Sequence, residues 1–542
     1  VDREALAARG NVADLTTPAE TLPALLDLLE GTHACRTALI SVRGRLSFRG
    51  LWSRSEEMAR ALAGRGVGRG THVGLLLPNW PEWLAIAFGV WRCGGVLVPL
   101  NTLYRARELG HALAHADVSL LIAARGFLRH DYAATLAELG IGSAGGADFP
   151  ALRDVVLLEP AAPLDLNPLR DAMAGDPGMA PGPDDDATVI FTSGSTAAPK
   201  GVVHTHRALC LAAAADAAVL GIGPADRTWG YLPFFFAGGL VAVALATLSR
   251  GAAVVLQDVF EPGETLRLLE AERVSVFFAW PHQAEALAAH PRFRGARLAL
   301  RKGVGANTKW AGAIYPPDHH AVGSYGMTET PPLCTAWPWD APLARRAGSH
   351  GPPVGRRELR IVDPGTGVAV PAGQDGEICV RGPELLRGYH REPPGACFDA
   401  DGFFHTGDLG RLDADGALHF VGRLKDVIKT AGANVAAAEV EAVLLEHPAV
   451  GAAHAVGVPA GSRGEDVAAF VVAKGPLDVE ALIAHCRERL ASYKVPRRIW
   501  LRAEDALPTK GSGKVDKAAL RAEAARLTGV DAPPAPPPAR GR

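Results

Sequence analysis

No Cys-x-x-Cys pair occurs in this chain of 542 residues, and its seven cysteines (Cys35, Cys93, Cys210, Cys334, Cys379, Cys397, Cys486) stand far apart. That excludes a disulfide framework or a zinc-finger-like site and fits ordinary thiols in a reducing, cytoplasmic setting. There is no basic tract: arginines are scattered, and a formal net charge of -2 argues against a nucleic-acid partner. No apolar run is long enough to span a membrane. The best candidate, Phe234 to Leu248, stops at Ser249-Arg250-Gly251, short of the ~20 residues a span needs. It reads as a helix buried in an α/β core. The opening VDREALAARG lacks an apolar signal core. Internal repeats, an HExxH motif and a Ser-His-Asp arrangement are also missing. His204 and His206 are spaced i,i+2, which does not put both on one helix face, and His319-His320 has no third ligand in sight.

What is present alternates. Leu22 to Arg65 reads as a helical lead-in with a short hairpin around Ser41 to Ser47. His72–Leu77, Gly95–Leu100 and Val118–Ala123 read as strands, with helices at Trp83–Cys93 and Arg107–Ala116 between them. The rhythm resumes at Ala252–Gln257, Glu264–Glu272 and Val274–Trp280, so two α/β subdomains with largely parallel sheets are expected. Short strands and turns from Glu358 to Gly382 suggest a small β subdomain. A fresh alternation from Val435 to Ala473 suggests a separate α+β domain. Ala532 to Arg542 is proline-rich and expected to be disordered.

The most informative stretch is Ala187 to Arg207, ATVIFTSGSTAAPKGVVHTHR. Thr188-Val189-Ile190-Phe191 has the length and composition of a buried strand. Thr192, Ser193, Gly194, Ser195 and Thr196 then form a hydroxyl-rich loop that closes on Pro199-Lys200-Gly201. Backbone N–H groups in such a loop make an anion cradle, and Lys200 adds a compact positive charge. The spacing is not that of the Walker loop.

This loop resembles the signature of the adenylate-forming superfamily, which includes acyl-CoA and aryl-CoA ligases; Ala197 replaces the glycine usual there. Further motifs of that family follow in its order. Tyr325-Gly326-Met327-Thr328-Glu329 resembles the segment where the aromatic ring packs on adenine, Thr328 contacts the α-phosphate and Glu329 ligates Mg²⁺, with Thr196 as a second metal contact. Thr406-Gly407-Asp408 resembles the ribose-binding turn, with Arg423 as companion of Asp408. Gly303, Gly305 and Ala306 sit where the family lines adenine and the acyl pocket. Arg423-Leu424-Lys425-Asp426 resembles its hinge, with Lys425 at the pivot. Gly432 and Asn434 match the loop that approaches CoA, and Leu507 to Lys514 matches the loop that carries the adenylation lysine, Lys514.

The resemblance implies a large N-terminal AMP-binding domain (1–422) of α/β subdomains plus a small β subdomain. A mobile α+β domain (423–530) and a tail (531–542) follow. It implies ATP, Mg²⁺ and CoA as cofactors and an acid activated as its adenylate before transfer to CoA. Alternatives within the family are a carrier-protein acceptor, or another oxyanion such as nitrite; a regulatory nucleotide-binding homologue is the non-enzymatic one. In the expected acid pocket (Phe236, Ala237, Gly238, Gly303), Phe236 replaces a histidine common in the family. No aspartate is placed to hold an α-ammonium group. An aryl or medium-length acid is therefore favoured.

Overall fold

The computed structural model describes residues 19–143, 145–159, 166–170, 174–192, 199–308, 310–393, 395–430, 433–460, 465–490, 493–510 and 514–529. They fall into two compact units. One lies within Val1–Leu359, Val380–Phe404 and Asp413–Leu418; the other lies within Arg360–Cys379, His405–Leu412 and His419–Arg542.

The larger unit contains two mostly parallel sheets. The seven-stranded one runs in the order Gly388–Tyr389, Lys200–Thr205, Asp186–Thr192, Val96–Pro99, His72–Leu76, Leu120–Ala124, Asp154–Leu158. Its last five strands are parallel, and the first two run antiparallel to their neighbours. Strand Asp186–Thr192 is buried from Ala187 to Phe191. It therefore reads as one apolar run rather than as an alternation, as a strand covered on both faces must. The second sheet is ordered Lys302–Gly303, Val276–Phe277, Arg227–Gly230, Ala253–Leu256, Thr37–Ser41, Gly44–Ser47.

The helices follow local rules. Pro81 opens Pro81–Arg92, where its missing N–H costs nothing, and every residue from Pro81 to Trp91 is buried. Thr205 caps His206–Val219 by accepting from the Ala208 N–H. The apolar run after Phe236 is an internal helix, as expected. Gly238–Leu245 has π geometry and Ala246–Ser249 continues as α-helix.

The short-strand region expected at Glu358 to Gly382 belongs to a four-stranded sheet of Glu358–Val362, Gly376–Arg381, Phe404–Leu412 and Leu418–Arg423. The smaller unit adds Val450–Pro459 antiparallel to Glu465–Ala473, which is parallel to Arg498–Leu501. Its own core contains Ile428, Val440, Leu444, Val467, Val471 and Leu482. Helix Lys517–Thr528 is capped by the Asp516 carboxylate and ends on left-handed Gly529.

Candidate active site

The hydroxyl-rich loop joins two antiparallel strands. Thr192 ends one, Lys200 begins the other, and the two residues are paired across the ladder. The intervening Ser193, Gly194, Ser195, Thr196 and Ala197 lie outside the described residues. So do Gly432, the side chains of Lys425 and Asn434, and the tail beyond Gly529.

Lys200 is held from two sides. Its ammonium is 2.9 Å from Glu392 Oε1 and 4.5 Å from the centre of the Tyr389 ring. Tyr389 reaches the site because its strand pairs with Lys200–Thr205, with Val202 opposite Tyr389. The Tyr389 hydroxyl donates to Glu329 Oε1 at 3.0 Å. Burial, then the Glu329 carboxylate, pushes the phenol pKa up, so it remains a donor. Beside Lys200 a cavity of about 310 Å³ is lined by His111, His115, Pro199, Tyr389, His390, Arg391 and Glu392.

The Thr328-Glu329 segment is a turn and not a helix start. It lies between the paired strands Ser324–Tyr325 and Thr335–Ala336. The turn is closed by Thr330 N–H to the Met327 carbonyl (3.2 Å) and Met327 N–H to Thr330 Oγ1 (3.3 Å). Gly326 is obligatory, since a Cβ there would lie 1.7 Å from the Pro332 carbonyl oxygen. His204 is fully buried, and its Nε2 is 3.0 Å from the Thr328 carbonyl. Only an Nε2–H can make that bond, so the neutral ring carries its proton there. Burial lowers the His204 pKa to about 4. Neither this role nor that of Tyr389 is visible in the sequence. Each joins residues far apart in the chain, 124 positions for His204 and Thr328 and 60 for Tyr389 and Glu329.

Gly303 and Gly305 both take positive φ (130° and 96°). A Cβ on Gly303 would lie 2.0 Å from the Phe277 carbonyl oxygen, and the N–H groups of Gly305 and Ala306 both donate to the Val322 carbonyl. Phe236 and Gly238 are half-buried. Phe236 meets Phe235 at 4.6 Å and Trp280 at 6.2 Å between ring centres. Phe234 and Ala237 are core residues instead, and Phe234 packs edge-on against Trp83. Only part of the aromatic run can therefore face a ligand.

In the smaller unit, Asp408 is buried with Arg423 Nε 3.0 Å from its carboxylate. The Asp408 N–H donates to Thr406 Oγ1, which itself donates to the Ile378 carbonyl. The Lys514 carbonyl accepts the Lys510 N–H at 2.8 Å. The residue is exposed as a whole. Desolvation of its ammonium, then the Arg423 charge, nevertheless lowers its pKa. Lys514, Arg423 and Asp408 thus form one electrostatic group within this unit.

The AMP-binding enzyme family model matches residues 30–390, and the AMP-binding enzyme C-terminal domain matches 439–514. The chain belongs to the AMP-binding enzymes. Feruloyl-CoA synthase of an Amycolatopsis species is 36% identical over 488 residues, 88% of this chain and 93% of the relative. Sulfoacetate–CoA ligase of Cupriavidus necator is 33% identical over 538 residues, 93% of this chain and 99% of the relative. An anthranilate CoA ligase solved with anthranoyl-AMP superposes with a TM-score of 0.82 at 26% identity, covering 96% of this chain and 100% of that one. This AMP-binding enzyme is an AMP-forming acid–CoA ligase: it uses ATP to form an acyl-adenylate and transfers the acyl group to CoA. Its fold is the large N-terminal α/β domain and small C-terminal domain of these enzymes. Among the described residues no helix is long and apolar enough to cross a membrane.

Proposed function

We propose that the acid activated is an aryl or arylacrylic carboxylate. The observation that carries this is the half-buried ring of Phe236 set against Phe235 and Trp280, next to Gly238. A Cβ on Gly238 would have no neighbour closer than Leu232 at 4.0 Å. Aromatic walls beside an unfilled glycine make a flat apolar slot, which favours a planar ring over a flexible chain. Feruloyl-CoA synthase and the anthranilate CoA ligase, both named for aryl acids, support the reading.

In the first half-reaction Lys200, with the loop from Thr192 to Thr196, holds the β- and γ-phosphates. Tyr325 packs on adenine beside Gly303, Gly305 and Ala306. Asp408 accepts from the ribose hydroxyls and Arg423 orients it. Thr328 donates to the α-phosphate. Lys514 neutralises the charge that develops between carboxylate and α-phosphate. Glu329 suits Mg²⁺: a single buried protein carboxylate leaves the other positions to phosphate oxygens and water, as this ion prefers. Bound there, Mg²⁺ would offset charge on the departing pyrophosphate. Thr196, on the hydroxyl loop, would be its second protein contact. In the second half-reaction the smaller domain, pivoting at Lys425, brings Gly432 and Asn434 to the CoA arm. A cytoplasmic location is supported by seven cysteines, none of which is in a disulfide.

The test is pyrophosphate release and thioester formation across a panel of cinnamic, benzoic, short-chain and long-chain acids. Aryl acids should show the highest kcat/KM. Gly238→Leu should hurt the aryl acid far more than acetate. A profile that rises steadily with acyl-chain length and ignores that substitution would overturn the assignment.

A further inference from the structure

Three side chains in the smaller unit converge on one point that the ligase reaction does not use. Glu377 and Cys379 lie two apart on strand Gly376–Arg381 and so project from the same face. His405, on strand Phe404–Leu412, meets both. Its Nδ1 is 3.5 Å from Cys379 Sγ and 2.8 Å from Glu377 Oε2, and the three ligand atoms all lie within 4.8 Å of one another. The second carboxylate oxygen of Glu377 accepts the Gly407 N–H at 3.0 Å, which fixes the direction in which Oε2 points. Cys379 is fully buried, whereas the His405 ring is 38% exposed. The point of convergence therefore borders solvent on the imidazole side.

We propose that Glu377, Cys379 and His405 form a binding site for a thiophilic divalent cation, Zn²⁺ by preference. Thiolate, imidazole and carboxylate are the ligand types zinc takes, and three protein ligands with one open position make a tetrahedral site. The spacing fits. Arms of about 2.3 Å to sulfur and about 2.0 Å to nitrogen, meeting at a tetrahedral angle, put S and N about 3.5 Å apart. The Sγ to Nδ1 distance of 3.5 Å matches this. The Nδ1 to Oε2 distance of 2.8 Å is that of the hydrogen bond the pair makes without a cation. It must open by about half an ångström, within reach of a glutamate rotamer adjustment. Binding releases the thiol proton and any proton shared between His405 and Glu377, so affinity rises with pH.

The experiment uses the full-length protein, phosphine-reduced and stripped of metal. It is titrated with Zn²⁺ against a chromophoric chelator and, separately, with Co²⁺ read by absorption. One equivalent of Zn²⁺ should bind, and Co²⁺ should produce a thiolate-to-cobalt charge-transfer band. Cys379→Ser should abolish the band. Cys379→Ser and His405→Gln should each weaken Zn²⁺ binding by about 100-fold or more, while Cys35→Ser, at an exposed thiol, should leave it unchanged. Because Cys379 is buried, His405→Gln and the wild-type spectrum keep the test decisive if the serine variant misfolds. A wild-type protein with no charge-transfer band, or a His405→Gln variant that binds Zn²⁺ like the wild type, would overturn the site.

Discussion

Acidification should loosen the larger unit by a calculable amount, because two of its histidines are buried in the neutral form. His204 and His206 are both fully buried, and burial lowers each pKa to about 4, against an ordinary value of about 6.5. Below pH 6.5 the unfolded chain takes up these protons while the folded one does not. Stability from each is therefore complete above about pH 6.5 and is lost as pH falls toward 4. The full shift is worth about 3.4 kcal/mol per ring, and about 2 kcal/mol of that is spent between pH 7 and pH 5. Asp216 acts with the opposite sign. It is buried, and desolvation raises its carboxyl pKa, so the wild-type profile alone mixes the two effects. Variants separate them. His206→Asn offers an acceptor to the Leu22 N–H that His206 Nδ1 now receives, and His204→Gln keeps a donor toward the Thr328 carbonyl; neither replacement titrates. Urea unfolding can be followed by tryptophan fluorescence, which reports mainly on the larger unit because nine of the ten tryptophans lie there. The gap between wild type and variant should change by about 2 kcal/mol per site between pH 7 and pH 5. A gap that stays constant with pH would refute the reasoning.

Lys514→Ala should abolish acid-dependent pyrophosphate release and spare thioester formation from supplied acyl-adenylate; equal loss of both would remove it from the adenylation step. Since the Lys514 pKa is lowered, the ammonium loses its proton at a lower pH than an ordinary lysine. The alkaline limb of adenylation should accordingly sit below the usual lysine range and move up in Lys514→Arg. Tyr389→Phe removes the donor to Glu329, a hydrogen bond to a charged group worth about 1.5–3 kcal/mol, and should raise the Mg²⁺ concentration needed for half-maximal adenylation by about tenfold or more. Glu392→Gln breaks an ion pair in which both side chains are 39% exposed. Such a pair is worth about 0–1 kcal/mol, so the KM for ATP should fall by less than about fivefold.

The elements were legible where one local pattern dominated. The apolar run Thr188 to Phe191 and the alternation from His72 to Ala124 appear as strands and helices within a few residues of their expected ends. The family was legible because its motifs stand in a recognisable order. What the sequence hid depends on pairing at a distance. Nothing near Tyr389 announces that its hydroxyl will meet Glu329, and nothing near His204 announces that its ring will hold the Thr328 carbonyl. The sequence also blurred the aromatic run, since Phe234, Phe235 and Phe236 look alike until burial puts Phe234 in the core and leaves Phe236 half-buried at the surface.

Strand Lys200–Thr205 has a mechanical consequence. It carries Lys200 at its start and His204 four residues on, about 13 Å along at strand spacing. It also pairs with the strand bearing Tyr389. Through His204 and Tyr389 it grips the turn of Thr328 and Glu329 at two places, one on the backbone and one on the carboxylate. The lysine and the acidic turn, remote in sequence, are thus referenced to one rigid rod. When that rod shifts, both ends move together and their separation is conserved. Breathing of the sheet becomes a common translation of the two groups, and the distance between opposite charges varies less than the position of either.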